Sequence, residues 1–336
     1  MKIKQILLAD RPKGLPVADN FKTVDATLPD LQPGEVLVKP LYFSVDPYMR
    51  GRMNDARSYI PPFVVGEPIE SGGVAEVTES KDDQFKPGDK VMSSAPRPFL
   101  PWATAAIFPA AHLRKVDDTI PLTYYLGLLG MPGLTAYFGL MDIGKPKAGE
   151  TVVVSGAAGA VGIVVGQIAK IMGCRAVGIA GGSEKVKMLT DTFNFDAAID
   201  YKGNPDMNAA VAAACPNGVD IYFDNVGGDI SDAVVRHLNF FARVPLCGQI
   251  SLYNSTEIPV GPRIQPILVT RSILMQGFII GNYASRFGEG MKQLSEWVKA
   301  GKIKYTETVE EGFDHLPAAL LGLFSGKNSG KMIVKV

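Results

Sequence analysis

The chain has 336 residues, 46% of them apolar, which is enough to build two cores rather than one. Lys+Arg and Asp+Glu number 34 each, so the formal charge is zero, and no basic surplus or charge block points to nucleic acid or an anionic membrane. Three widely spaced cysteines, Cys174, Cys215 and Cys247, fit neither a disulfide framework nor a metal cluster and point to a reducing cytoplasm.

In chain order, the opening MKIKQILLADRP has only a short apolar run before Asp10 and Arg11, less than the core of a secretory signal needs. The next hundred residues are turn-rich and strand-like. Gln32-Pro33-Gly34-Glu35 introduces EVLVKPLYFSVD, Lys86-Pro87-Gly88-Asp89 introduces KVMSS, and SGGVAEV lies between them as another strand. Residues 119–141 carry no charge, but Pro121, Pro132 and several glycines favour buried core over a membrane span. The uncharged stretch 151–169 is likewise read as core. These shifts predict a β-rich domain over 1–124 with 302–336, and a nucleotide-binding domain over 125–301.

The stretch TVVVSGAAGAVG, 151–162, reads as strand, tight turn and helix. It matches the dinucleotide fingerprint with Ala157 in the first glycine place. Gly159 lets backbone approach a pyrophosphate, Gly162 lets helix pack on strand, and the turn residues Ala158, Ala160 and Val161 border the phosphates. The helix start offers N–H groups to the same anion. A second strand, 175–180, ends in Ala180-Gly181-Gly182, where an NAD-binding unit usually places an acid. Ser183 and Lys185 follow instead, which favours the 2′-phosphate of NADP, although Glu184 leaves NAD open if the register shifts.

From there strand and helix alternate: helix over 184–192, strand over 197–200, helix over 208–214, strand over 221–225 broken by Gly227-Gly228, helix over 230–240 and strand over 242–246. In a doubly wound parallel sheet these strand ends share one edge, so topology alone places Asn225, Gly248 and Tyr253 near the cofactor. Residues 289–299 form an amphipathic helix stopped by Gly301, and a second helix spans 314–324. The terminal strand MIVKV is expected to pair with the N-terminal domain.

The ordered motifs VDPYMR (45–50), MPGLTAY (131–137), AAGAVG (157–162), FDNVGG (223–228), CGQISLYN (247–254) and GKMIVKV (330–336) resemble the zinc-free medium-chain dehydrogenases/reductases. Within them the chain is similar to the leukotriene B4 dehydrogenase/prostaglandin reductase, alkenal double-bond reductase and bacterial curcumin reductase group. The resemblance implies a Rossmann sheet beside a GroES-like β-rich domain, NADPH as cofactor and a homodimer. It also implies Lys185 and Tyr201 at the 2′-phosphate beside Gly182 and Ser183, with Thr135, Asn225, Cys247 and Gly248 toward the nicotinamide. Phe278 and Ile279 would form an apolar wall, Asn328 would reach in from the tail, and Met131 and Tyr59 would border the substrate.

Zinc is not expected on the residues themselves. A catalytic zinc needs about three N, S or O ligands, yet His112, His237, His315 and the three cysteines are unclustered in sequence. Ser44-Val45-Asp46 stands where zinc alcohol dehydrogenases carry their first cysteine ligand. Without metal, hydride delivery to an α,β-unsaturated carbonyl needs hydrogen-bond donors for the charge that develops on oxygen. Tyr253, which the resemblance places beside the nicotinamide ribose, is the first candidate, and Tyr48 in VDPYMR, on the substrate side, is the second. The activity expected is NADPH-dependent reduction of the carbon–carbon double bond of small enals or enones. The alternatives are quinone reduction and a non-catalytic NADPH-binding regulator.

Overall fold

The run Thr151–Ser155 is buried at every position, so its strand has both faces covered, as the centre of a parallel sheet requires. In the computed structural model, which describes residues 1–94 and 99–336, it lies within a six-stranded sheet. The strand order is Ala197–Asp200, Arg175–Ala180, Thr151–Ser155, Val219–Phe223, Leu238–Leu246, Leu274–Gly277, and every pairing is parallel. Helices Gly162–Ile171, Ser183–Asp191, Met207–Ala214 and Gly228–Val235 make the crossovers. The order reverses direction between Thr151–Ser155 and Val219–Phe223, the switch point at which doubly wound sheets bind ligands. Val153, Val177, Ile179, Tyr222, Val234 and Val244 fill one layer of the core.

One element differs from its sequence reading. The helix expected over 230–240 ends at Val235, and 238–240 already belong to the strand Leu238–Leu246. Leu238 is buried and pairs with Val219, while the Arg271 guanidinium takes the carbonyls of Arg236, at 3.0 Å, and Leu238. Those carbonyls are thereby withdrawn from any further helical turn.

The β-rich unit is built on a seven-stranded sheet ordered Glu307–Glu311, Lys331–Lys335, Glu35–Ser44, Gly73–Ser80, Lys90–Ser93, Leu113–Lys115, with Ala106–Pro109 also pairing Glu35–Ser44. The two turns read from the sequence place Gly34 at φ +79° and Gly88 at φ +96°, a backbone region that disfavours side chains. The terminal strand pairs antiparallel with Glu35–Ser44, Ile333 opposite Ser44. Trp102 is fully buried, and its indole N–H donates to Ser71 Oγ at 2.9 Å.

This unit comprises 1–127, 308–328 and 332–336, and the nucleotide unit comprises 128–307 and 329–331. Residues 302–307, assigned from sequence to the β-rich domain, cluster with the nucleotide unit. The Gln167 amide clamps Lys304 there, donating to its carbonyl and accepting from its N–H, both at 2.8 Å. Residues 329–331 join the same unit, with Gly330 N–H donating to Ala158 O at 2.8 Å. Among the described residues no helix is long and apolar enough to cross a membrane.

Candidate active site

The fingerprint turn is set by contact distances. Gly156 sits at φ +58°, and its carbonyl accepts the Gly159 N–H at 3.0 Å. A Cβ on Gly162 would lie 2.4 Å from Gly156 O, and one on Gly159 would lie 3.2 Å from the same atom. Gly162 therefore permits the helix to start directly above the strand end. Ala157 and Ala158 are buried beneath the turn, whereas Gly159, Ala160 and Val161 are half-exposed along it. A helix N-terminus bordered by half-exposed backbone is a place an anion can occupy.

The neighbouring strand end gathers cationic and hydroxyl groups. Gly182 takes φ +99°, and Ser183 opens the following helix. Tyr201 packs on Gly181 so tightly that a Cβ there would lie 2.8 Å from its ring. Asp200 Oδ1 accepts the N–H groups of Gly182, at 2.7 Å, and Lys202, at 3.0 Å, tying the two strand ends together. The Gly182 N–H, with Lys202 assisting, holds the Asp200 carboxyl below its usual range. Burial and then the Lys202 charge pull the half-buried Lys185 ammonium below its usual value. Ser183, Lys185, Tyr201 and Lys202 thus flank this strand end, with the Asp200 carboxylate tied to the Gly182 N–H.

Beyond the switch point, Asp224 is the hub. Its buried carboxylate accepts from Ser155 Oγ at 2.8 Å, Tyr222 Oη at 2.9 Å, Ser231 Oγ at 2.7 Å, and the N–H groups of Val226 and Gly227 at 3.0 Å. Ser155 in turn receives the Asn225 N–H at 2.9 Å, and its carbonyl takes the Asn225 amide at 2.8 Å. Asn225 is consequently held on both its backbone and its side chain.

Next along this edge, Leu246, Cys247, Gly248, Gln249, Gly277, Phe278, Ile279 and Asn282 line an open groove of about 410 Å³. The Tyr253 hydroxyl adjoins two of these residues, accepting the Gln249 N–H at 3.2 Å, and a Cβ on Gly248 would be 2.9 Å from that hydroxyl. Burial raises the Tyr253 phenol despite that N–H, so it stays protonated at neutral pH. Burial pushes the Cys247 thiol up to about 12. Phe278 packs edge-on to Phe223, and both rings meet Gly139, just beyond helix Met131–Phe138. On that helix Thr135 Oγ1 donates to the Met131 carbonyl at 2.7 Å, and Met131 is 37% exposed.

Tyr48, Tyr59 and Asn328 belong to the β-rich unit. Tyr48 opens the short helix Tyr48–Arg52, its ring 6.1 Å from that of Phe99. Its hydroxyl is buried without a hydrogen-bond partner, and burial, followed by the nearby Asp46 charge, raises its pKa well above the ordinary 10. Tyr59 is exposed.

Sequence reasoning missed Asp200, Lys202, Asp224 and Arg52. Asp224 and Asp200 stand at strand ends, a positional signal that would have found them. Nothing local distinguishes Arg52 from a surface arginine. Of the histidines, His112 is half-buried, His315 is exposed, and His237 Nε2 pairs with Asn208 at 2.9 Å. Among the described residues no three or more His, Cys, Asp or Glu side chains gather as metal ligands.

Two family descriptions match the chain, an N-terminal domain of oxidoreductase over residues 4–116 and a zinc-binding dehydrogenase over 160–298. YfmJ of Bacillus subtilis (strain 168), provisionally named an NADP-dependent oxidoreductase, is 54% identical over 99% of this chain and 97% of its own. The NADPH-dependent curcumin reductase of Escherichia coli (strain K12) is 43% identical over 98% and 96%. The NADP⁺-dependent 2-alkenal reductase of Nicotiana tabacum is 42% identical over 99% and 97%. The crystal structure of CurA from Vibrio vulnificus in complex with NADPH superposes with a TM-score of 0.93, at 44% identity over 99% of each chain.

Proposed function

Because this chain belongs to the zinc-free group of the medium-chain dehydrogenase/reductase family, we propose that it is an NADPH-dependent reductase of the carbon–carbon double bond in α,β-unsaturated aldehydes and ketones. The observation that carries the reading is Tyr253. Its hydroxyl accepts from Gln249 N–H, so its own proton remains available to a ligand in the groove beside Gly248. The names of the curcumin and alkenal reductases support the substrate class, and the NADPH complex of CurA supports the cofactor.

The residues present fit that cofactor. The Gly159 and Gly162 turn, where a Cβ would intrude, would take the pyrophosphate, with Ala158, Ala160 and Val161 alongside. Ser183, Lys185, Tyr201 and Lys202, with Gly182, would hold the 2′-phosphate. Thr135, Asn225, Cys247, Gly248, Tyr253, Phe278 and Ile279 would border the nicotinamide half, with Asn328 from the tail. NADPH, when bound, supplies the hydride that the substrate's β-carbon accepts. Negative charge then builds on the carbonyl oxygen, and a hydroxyl aimed there lowers the barrier. Tyr253 donates that hydrogen bond, with Tyr48 as a second donor. The α-carbon takes its proton from Tyr253 or from water. Met131 and Tyr59 border the substrate.

Mixing the protein with NADPH and following nicotinamide absorbance with an enal, an enone, a quinone, and separately an alcohol with NADP⁺, tests this. Oxidation of NADPH by the enal and enone supports the reading. Turnover of the quinone alone replaces it with quinone reduction, and silence throughout replaces it with a binding protein.

A homodimer accompanies this reading. The strand Leu274–Gly277 ends the six-stranded sheet, and Leu274, Val269, Phe240 and Phe241 are 47, 77, 69 and 70% exposed near it. An apolar sheet edge of this kind suits a second copy related by a two-fold axis. Light scattering that returned a monomer at micromolar concentration would refute it. The three cysteines are free thiols, which supports the cytoplasm as the compartment.

A further inference from the structure

Arg52 is a buried cation held on three sides. It is 6% exposed, and its guanidinium carbon lies 4.1 Å from the ring centroid of Phe63 and 5.2 Å from that of Phe99. Nε donates to Pro61 O at 3.0 Å, and Nη2 lies 3.4 Å from Glu70 Oε2. Nη1, however, is buried with no hydrogen-bond partner. One helical turn earlier the Tyr48 hydroxyl is in the same condition. Residues at i and i+4 lie on one helix face, and both side chains here meet the Phe99 ring.

Two neighbouring donors buried without an acceptor are unusual, because leaving such groups unsatisfied is costly. One oxygen accepting from both would satisfy them, and as it gains enolate charge it keeps a lone pair for a further donor. Glu70 already balances the Arg52 charge, so the pair carries no surplus positive charge that would favour a carboxylate over a neutral carbonyl.

We propose that Tyr48 and Arg52 form a two-donor subsite for the carbonyl oxygen of the unsaturated substrate, an inference that rests on the reductase reading above. As charge accumulates on that oxygen, both hydrogen bonds strengthen. The subsite therefore acts on the reaction step and on substrate orientation, and cofactor affinity does not depend on it.

The test uses the full-length protein with NADPH and trans-2-hexenal, comparing wild type with Arg52→Met, Arg52→Lys, Tyr48→Phe and the Arg52→Met/Tyr48→Phe double variant. Arg52→Met keeps an apolar stem between Phe63 and Phe99 while removing the donors. Each of Arg52→Met and Tyr48→Phe is expected to lower kcat/KM for the enal about ten- to a hundredfold. NADPH affinity, read by nicotinamide fluorescence, stays unchanged. The double variant loses less than the product of the two single losses, because both donors serve one oxygen, and Arg52→Lys recovers part of the loss. Unchanged kcat/KM in either variant, losses that simply multiply, or a parallel loss of NADPH affinity overturns the subsite while leaving the reductase reading intact. Should Arg52→Met fail to fold, Tyr48→Phe and Arg52→Lys decide by the same criteria. A wild type that ignores the enal and turns over a quinone overturns the reductase reading, and the subsite with it.

Discussion

Replacing Lys185 by alanine separates the two nicotinamide cofactors. The ammonium is half-buried at the Gly181–Ser183 strand end, and NADPH differs from NADH only by the 2′-phosphate that this site would receive. Unit charges about 4 Å apart at an effective dielectric constant of about 20 attract by about 4 kcal/mol. Because Lys202 stays in place and solvent reaches the pair, roughly half of that attraction is expected to be lost. A loss of about 2 kcal/mol corresponds to roughly a thirtyfold weaker NADPH complex. NADH binding should change little. Fluorescence titration of both cofactors against both proteins measures the ratio directly. The same titration across pH adds a second reading. Burial and the Lys202 charge depress Lys185 below the ordinary 10.5. The phosphate binds its charged form, so the NADPH preference is full below that depressed value and fades as pH rises through it, ahead of an ordinary lysine. Equal weakening of NADPH and NADH by Lys185→Ala would remove the reason for assigning the phosphate to this strand end.

Further outcomes follow from the same geometry. Tyr253→Phe is expected to lower kcat about a hundredfold with NADPH affinity retained, as measured by stopped-flow hydride transfer; an unchanged rate removes it from the mechanism. Gly162→Ala sets a Cβ 2.4 Å from Gly156 O and should destabilise the protein by about 1–3 kcal/mol while weakening NADPH, read by denaturant melts with and without cofactor. Asp224→Ala strands the hydroxyls of Ser155, Tyr222 and Ser231 and two N–H groups. A loss of about 4 kcal/mol is expected, and Asp224→Asn should recover part of it in the same assay. The Gly182 N–H keeps Asp200 below the ordinary 3.8, so its stabilisation is complete above that pH and disappears as pH falls through the lower folded value. Asp200→Asn should therefore flatten the acid limb of a thermal-stability profile.

Much of the nucleotide unit was legible because its cues are local. Thr151–Ser155 is a β-branched run, Gly159 and Gly162 sit at fixed offsets after it, and the strands Arg175–Ala180 and Ala197–Asp200 fall at the spacing of a repeated crossover. The end of helix Gly228–Val235 was not legible. Residues 236–240, RHLNF, hold no Gly or Pro to stop a helix, and Arg271, far along the chain, captures the carbonyls that end it. That residues 302–307 cluster with the nucleotide unit was not legible for a similar reason, since their partner Gln167 lies 137 positions before Lys304. Tyr48 and Tyr253 came from motif and topology, yet neither could disclose that one phenol is bonded to backbone and the other is unpartnered.

Periodicity and turn chemistry act between neighbours in the chain, and so the amino-acid order alone determined the alternating strands and helices, the glycine turn and the missing acid after Gly182. Polar satisfaction is a property of space. Whether Asp224 finds its donors, whether Lys202 stands near Lys185, and whether Arg52 is left with an unused N–H depend on segments that meet only after folding. Tertiary structure decided those, because a buried charge takes its energy from every group around it, however distant in sequence.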